Sequence, residues 1–215
     1  MIKLGILASG RGSNFQSIID SIKNDYLSAE IKILITDNPD AYAINRAKEN
    51  NIPYVCLKMS KSKSEYYEMV VEQLQKNEVE LVILAGFMRI VARPLLDVYK
   101  MRIMNIHPAL LPSFRGLHGQ RQALEYGVKI AGCTVHFVDD GVDTGPIITQ
   151  AAVPVYSDDT EDSISQRILA LEHKIYPYAI KLFSEDRLVI YDNIVTILNE
   201  IKSDDKLFVP TQKIS

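Results

Sequence analysis

The amino-acid sequence predicts an α/β protein: a doubly wound, mostly parallel sheet with helices on both faces, folded as a single domain. Three observations carry this. Short β-branched runs alternate with longer amphipathic segments through the N-terminal half. The run over 80–85, Glu-Leu-Val-Ile-Leu-Ala, is apolar at every position after Glu80, as a strand covered on both faces must be. The chain has 215 residues, 47% hydrophobic and 24% charged, which is enough to bury a full core.

Taken in order, residues 2–8 read as the first strand. Phe15, Ile18, Ile19 and Ile22 then recur at helical spacing. Residues 31–35 form a second strand, and 41–50 a helix that Asn50, Asn51 and Pro53 bring to an end. A short strand at 55–57 precedes the helix marked by Tyr67, Val70, Val71 and Leu74, which leads into the strand over 80–85. Residues 98–104 read as a further strand with its lead-in. After Asn105 the pattern changes. A polar, glycine-rich stretch at 113–119 leads to a short helix at 120–126. Strands at 133–138 and 146–155 flank the loop 139–145, and a long helix at 162–183 precedes a strand at 188–191. Residues 1–199 make the domain, and 200–215 a polar, loosely held C-terminal tail.

The formal net charge of -3 offers no basic field for nucleic acid or for a membrane surface. Cys56 and Cys133 lie inside apolar runs without metal-type spacing and read as small buried hydrophobes. The N-terminus lacks the architecture of a signal peptide, and no stretch approaches membrane-spanning length. The expectation is a soluble cytoplasmic protein of a reducing compartment.

Three short stretches carry chemistry. Residues 8–14, Ala-Ser-Gly-Arg-Gly-Ser-Asn, form a glycine loop between the first strand and the first helix. Gly10 and Gly12 permit positive φ, Ser13 can cap the helix, and free N–H groups at a helix start bind anions. Phe15 stands where a dinucleotide fingerprint has its third glycine, and no Gly-Lys-Ser/Thr follows, so a monophosphate suits the loop better than a pyrophosphate. A tight turn with a helix cap explains the same residues. In the second stretch, 105–112, Asn-Ile-His-Pro-Ala-Leu-Leu-Pro, alternation sends Asn105 and His107 to one side of a strand that Pro108 stops. A capped strand exit with a surface histidine is the competing account. In the third, 139–145, Asp-Asp-Gly-Val-Asp-Thr-Gly, Gly141 and Gly145 bracket Asp143. A carboxylate there, facing His107, would orient the imidazole and favour its charged form. The alternative is a solvated acidic turn. Calcium is disfavoured because the loop lacks a terminal glutamate, and no metal is expected.

Together, "ASGRGSNFQSIID", "VILAGFMRI", "NIHPALLPSFRGLHG" and "GVDTGPIITQ" resemble the phosphoribosylglycinamide formyltransferases, folate-dependent enzymes of purine synthesis, over roughly residues 1–190. The resemblance implies a Rossmann-like formyltransferase fold whose N-terminal half binds phosphate and whose C-terminal half binds folate. It implies formyl transfer from 10-formyltetrahydrofolate, a co-substrate, to the amine of glycinamide ribonucleotide. By the same resemblance Asn105, His107 and Asp143 are catalytic, and Gly12, Ser13 and Asn14 hold the phosphate. Glu172 would meet the ribose. Met88, Arg89 and Ile90 would line the folate pocket, with Asp139, Asp140, Gly141, Val142 and Asp143 reading the pteridine. The partners implied are these two small molecules, with no nucleic acid and no membrane, and a homodimer is left open.

The residue types suit that chemistry. An amine attacks a formyl carbon and charge builds on the carbonyl oxygen, towards which Asn105 offers a neutral donor and protonated His107 a charged one. Asp143 keeps the imidazole charged and can relay the proton that the amine releases. Direct transfer needs no covalent intermediate. Arg89, at a strand end, could pair with a folate carboxylate or stand as a solvated charge. His118 could border the amine site or lie on the surface. His136 could serve the site or sit satisfied in the core, and His173 reads as structural. Tyr66, Tyr67, Tyr176 and Tyr178 read as helix packing. Arg115-Gly116 after the prolines also resembles the methionyl-tRNA formyltransferases, but the chain is expected to lack their RNA-binding domain. Formyltetrahydrofolate deformylases share the trio but add an N-terminal regulatory domain that is not expected here. A nucleotide-binding module would explain the glycine loop and leave the trio without a purpose.

Overall fold

The computed structural model describes residues 1–58 and 62–202. In chain order they form β1 (Ile2–Leu7), α1 (Ser13–Lys23), β2 (Ala29–Thr36), α2 (Ala43–Glu49), β3 (Tyr54–Cys56), α3 (Lys63–Lys76) and β4 (Leu81–Leu84). There follow α4 (Arg93–Val98), β5 (Ile103–His107), α5 (Gly119–Tyr126), β6 (Ile130–Phe137), β7 (Ile147–Pro154), α6 (Glu161–Ser184), β8 (Leu188–Tyr191) and β9 (Ile194–Ile197).

The main sheet has seven strands in the order β3-β2-β1-β4-β5-β6-β7. The first five run parallel, and β6 and β7 are added antiparallel as a hairpin. All four residues of β4 are buried, as the apolar run at 80–85 predicts for a strand covered on both sides. Leu4 and Ile6 of β1 belong to the core that α1 and α6 close with Phe15, Ile18, Tyr176 and Ile180. Leu7, with Ile33 and Ile35 of β2, faces the opposite core, closed by Tyr66, Tyr67, Val70 and Leu74 of α3. Each such side chain, fully buried, contributes about 1.5–3 kcal/mol of transfer free energy. The parallel order reverses between β1 and β4, and in sheets of this kind the crevice beyond such a reversal is where ligands bind.

The architecture is the one the sequence predicts, with local differences. The six-residue α4 was not anticipated, because Pro94 in its first turn hides so short a helix in the pattern. The strand expected over 98–104 starts only at Ile103, after the left-handed Met101. The strand at 188–191 pairs with β9 in a separate two-stranded sheet, turned at Asp192, which adopts φ 51°. Of the tail expected over 200–215, residues 200–202 carry no regular structure and the remainder lies outside the described residues.

Candidate active site

The site starts from the pairing of β5 with β6. Met104 and Ile106 point into the core under α1 and α6, so alternation sends Asn105 and His107 the other way. Antiparallel register sets Asn105 opposite His136 and His107 opposite Thr134. The Asn105 Nδ2 lies 3.2 Å from His136 Nε2. His136 Nδ1 lies 2.7 Å from the Phe137 carbonyl, and the ring is 2% exposed.

Beyond His107 the chain is pinned rather than free. Thr134 Oγ1 donates to the Ala109 carbonyl at 2.7 Å and accepts from the Leu111 and Gln150 amides. This fastens the turn after Pro108 to the hairpin and brings the carbonyl of Phe114, itself left-handed at φ 53°, to 2.8 Å from His107 Nε2. A carbonyl can only accept, so His107 donates from Nε2.

The loop between β6 and β7 folds back to deliver Asp143. A Cβ on Gly145 would lie 2.0 Å from the Phe137 carbonyl oxygen, so only glycine permits that return. Asp143 itself takes φ 52°. Its Oδ2 accepts from the Gly116 N–H at 2.8 Å and stands 3.3 Å from His107 Nδ1, while Oδ1 is 3.6 Å from His136 Nε2. Burial pushes the Asp143 carboxyl up. The Gly116 N–H and the charge of His107 oppose burial, and the carboxyl is held below its ordinary value. Asn105, His107 and Asp143 thus meet in one place, and His136 joins them. The sequence leaves His136 undecided, since only the strand register tells a site residue from a core one.

At the exit of β1, the glycine loop runs into α1 with Gly12 as N-cap at φ 67°. The cap expected from Ser13 is not made: Ser13 is the first helical residue and no side chain caps α1. A Cβ on Gly12 would stand 2.9 Å from Ala43 Cβ, so both the backbone conformation and the approach of α2 require glycine. Gly10 uses no positive φ. Arg46 donates to the Arg11 carbonyl at 2.9 Å, and Ser9 Oγ accepts from the Met88 N–H at 3.2 Å, joining the exits of β1 and β4. Asn14 donates through Nδ2 to Glu172 Oε2 of α6 at 2.7 Å, leaving its buried Oδ1 without a partner. Burial raises the Glu172 pKa, and the Asn14 hydrogen bond opposes this only in part.

Met88 and Ile90 are 69% and 59% exposed after β4. Arg89 is not a simply solvated charge: its Nε pairs with the Asp37 carboxylate, while the side chain stays 36% exposed. Asp139 Oδ1 accepts from the Gly141 N–H and the Thr144 hydroxyl, Asp140 pairs with Arg93 of α4 at 2.6 Å, and Val142 is exposed. A cleft of about 320 Å³ borders Asp143, lined also by Leu111, Arg115, Ile147 and the β8–β9 turn at Asn193. His118, at the start of α5, is exposed, and His173 on α6 is half-buried. Tyr66 and Tyr67 pack edge to face within the core, and the buried Tyr176 hydroxyl reaches the Leu84 and Met104 carbonyls. Burial pushes the Cys133 thiol up to about 12, which removes it as a nucleophile. Among the described residues no cluster of three or more metal-ligating side chains occurs, and no helix is long and apolar enough to cross a membrane.

A partly buried Asn–His–Asp group on a doubly wound sheet, beside a glycine loop at its switch point, is an arrangement suited to group transfer. The formyl transferase family model matches residues 2–180, and the chain belongs to that family and is a formyltransferase. Within it, the chain is 45% identical over 183 residues to the phosphoribosylglycinamide formyltransferase of Bacillus subtilis, covering 84% of this chain and 94% of that one. It is 40% identical over 190 residues to the Escherichia coli enzyme of the same name, covering 87% and 90%. The crystal structure of glycinamide ribonucleotide transformylase 1 from Symbiobacterium toebii superposes with a TM-score of 0.91 at 49% identity, covering 93% of this chain and 95% of that one.

Proposed function

We propose that this chain transfers the formyl group of 10-formyltetrahydrofolate to the amine of glycinamide ribonucleotide, a step of purine synthesis carried out in the cytoplasm. The observation that carries the proposal is the contact of His107 Nδ1 with Asp143 Oδ2 at 3.3 Å, beside Asn105. The amine nitrogen bonds to the formyl carbon, and the formyl oxygen takes up negative charge. The Asn105 amide and the His107 imidazolium stabilise that charge. Both partners of the His107 ring, the Phe114 carbonyl and Asp143, are acceptors, which suits the doubly protonated ring. The formyl oxygen takes over one of these donors, and Phe114 is the neutral partner that it replaces. The bond from the formyl carbon to folate nitrogen then breaks. Asp143, which its surroundings keep ionised, passes the proton from the amine to that departing nitrogen through water.

In this scheme the N-terminal half holds the ribonucleotide. Gly12, Ser13 and Asn14 bind its phosphate at the first turn of α1, where N–H groups lack intrahelical partners, and Glu172 with Asn14 meets the ribose. Met88, Arg89, Ile90 and the loop 139–143 line the folate site, with Asp37 holding Arg89 in place. The reaction requires no metal. A spectrophotometric assay with 10-formyl folate tests the proposal, with glycinamide ribonucleotide, water and initiator methionyl-tRNA as competing acceptors. Turnover should depend on the ribonucleotide. Faster consumption with water or with the tRNA would assign the chain to another activity in the family.

A further inference from the structure

We propose that His136 is a positioning residue, whose neutral ring fixes which end of the Asn105 amide is presented to the reacting formyl group. The inference rests on Asn105 being the neutral oxyanion donor.

Two buried imidazoles, His107 and His136, meet different sets of donors and acceptors. His136 Nδ1 stands 2.7 Å from the Phe137 carbonyl, which can only accept, so Nδ1 carries a proton. Its Nε2 stands 3.2 Å from the Asn105 Nδ2, which can only donate, so Nε2 offers a lone pair. The ring is therefore singly protonated and neutral. His107 has the opposite surroundings: its two nitrogens face the Phe114 carbonyl at 2.8 Å and Asp143 Oδ2 at 3.3 Å, both acceptors. One carboxylate lies between two imidazoles, and the partners assign the charge to His107. At 3.6 Å, His136 Nε2 is beyond hydrogen-bond reach of Asp143 Oδ1.

Ring and amide hold one another in this orientation. With a lone pair on His136 Nε2, Asn105 must turn its nitrogen and not its oxygen towards the ring, because two lone pairs would otherwise oppose one another. One Nδ2–H is spent on His136, and the second stays on a nitrogen whose position is fixed, ready for the oxyanion. Without the ring, the amide can rotate and present its own oxygen to a developing negative charge. Register makes the arrangement rigid, since Asn105 and His136 are directly opposed on β5 and β6.

Two measurements test this. In the wild-type enzyme, ¹⁵N NMR of the histidine rings should show His136 protonated on Nδ1 and bare on Nε2. A proton on Nε2 would overturn the proposal, whatever any variant does. In kinetics, His136→Leu should lower kcat on the order of tenfold to a hundredfold, while the directly measured affinities for both substrates stay within a few-fold. His136→Gln, whose side-chain oxygen can accept from Asn105, should recover most of the loss. Because His136 acts through Asn105, His136→Leu combined with Asn105→Ala should be no slower than Asn105→Ala alone. Multiplied losses would give His136 a separate role and sink the inference, as would undiminished turnover in His136→Leu alongside a slow Asn105→Ala. Full turnover in Asn105→Ala would instead remove the donor role on which both this inference and the proposed function rest.

Discussion

His107 Nδ1 and Asp143 Oδ2 stand 3.3 Å apart, although one belongs to the fifth strand and the other to a loop that leaves the sheet after the sixth. The contact closes a chain of polar groups from the Gly116 N–H through Asp143 and His107 to the Phe114 carbonyl, so removing any member leaves a partly buried group unmatched.

The first expectation concerns acid. Asp143 has a folded-state pKa held below its ordinary value, so its ionisation stabilises the fold at every pH above the unfolded carboxyl pKa. That stabilisation is lost as pH falls through the depressed folded value. Asp143→Asn should therefore unfold at lower denaturant concentration than the wild type near neutrality, and the gap should close in acid. Denaturant titrations of both proteins across that range measure it. A gap independent of pH would mean that the carboxylate charge contributes nothing to folding.

Turnover should fall on removal of either oxyanion donor. Asn105→Ala should cost on the order of 3 kcal/mol, roughly a hundred- to thousandfold in kcat, with both substrate affinities nearly unchanged. His107→Ala should lose at least as much, since its donor is charged. The double variant should fall short of the product of the two losses, because both act on one charge. Steady-state kinetics with direct binding measurements and circular dichroism decide this. Near-normal turnover in folded Asn105→Ala would reduce the pair to a strand exit.

Ser13→Asp sets an anion at the first helical position of α1. A carboxylate is welcome to the helix there, so the protein should fold as well as the wild type. It would be hostile to a phosphate dianion. The KM for the ribonucleotide should rise by about tenfold or more, while that for folate barely moves. Equal weakening of both substrates would place the phosphate elsewhere.

Glu172 makes the opposite pH prediction to Asp143. Burial raises its folded-state pKa, so the ionised form opposes folding once pH passes the unfolded value. Glu172→Gln should be more stable than the wild type near neutrality, and the advantage should vanish in acid. Thermal melts at a few pH values would show it. The same variant should weaken ribonucleotide binding if this side chain meets the ribose, which would separate the stability effect from the binding role.

Much of this was legible in the chain. The apolar run over 80–85 reads as a doubly covered strand, and the spacing of Phe15, Ile18, Ile19 and Ile22 as a helix face, and both elements are present. Alternation set Asn105 and His107 on one side of a strand and left a plain strand exit as the competing account. What failed to show was whatever depends on pairing between distant segments. His136 became a site residue only when register set it opposite Asn105. Arg89 found Asp37 across the ends of different strands. The cap assigned to Ser13 moved to Gly12 because the left-handed turn begins one residue earlier. The Asp192-Asn193 step between two alternating apolar runs is a hairpin turn, and it announces β9.

Tyr176 gives the last consequence. Its buried hydroxyl lies 3.0 Å from the Leu84 carbonyl and 2.8 Å from that of Met104, clasping β4 to the strand that bears Asn105. Glu172 lies one turn earlier on the same helix, about 6 Å along its axis. Helix α6 therefore works as a gauge bar. One end bears on the proposed sugar site and the next turn on the strand that presents Asn105, so neither reference point can drift without the other. The span between the proposed sugar site and the strand that bears Asn105 is set by one turn of this helix. Changes on the outer face of α6 should leave that span untouched, whereas a slip of one turn along the sheet would ruin both ends at once.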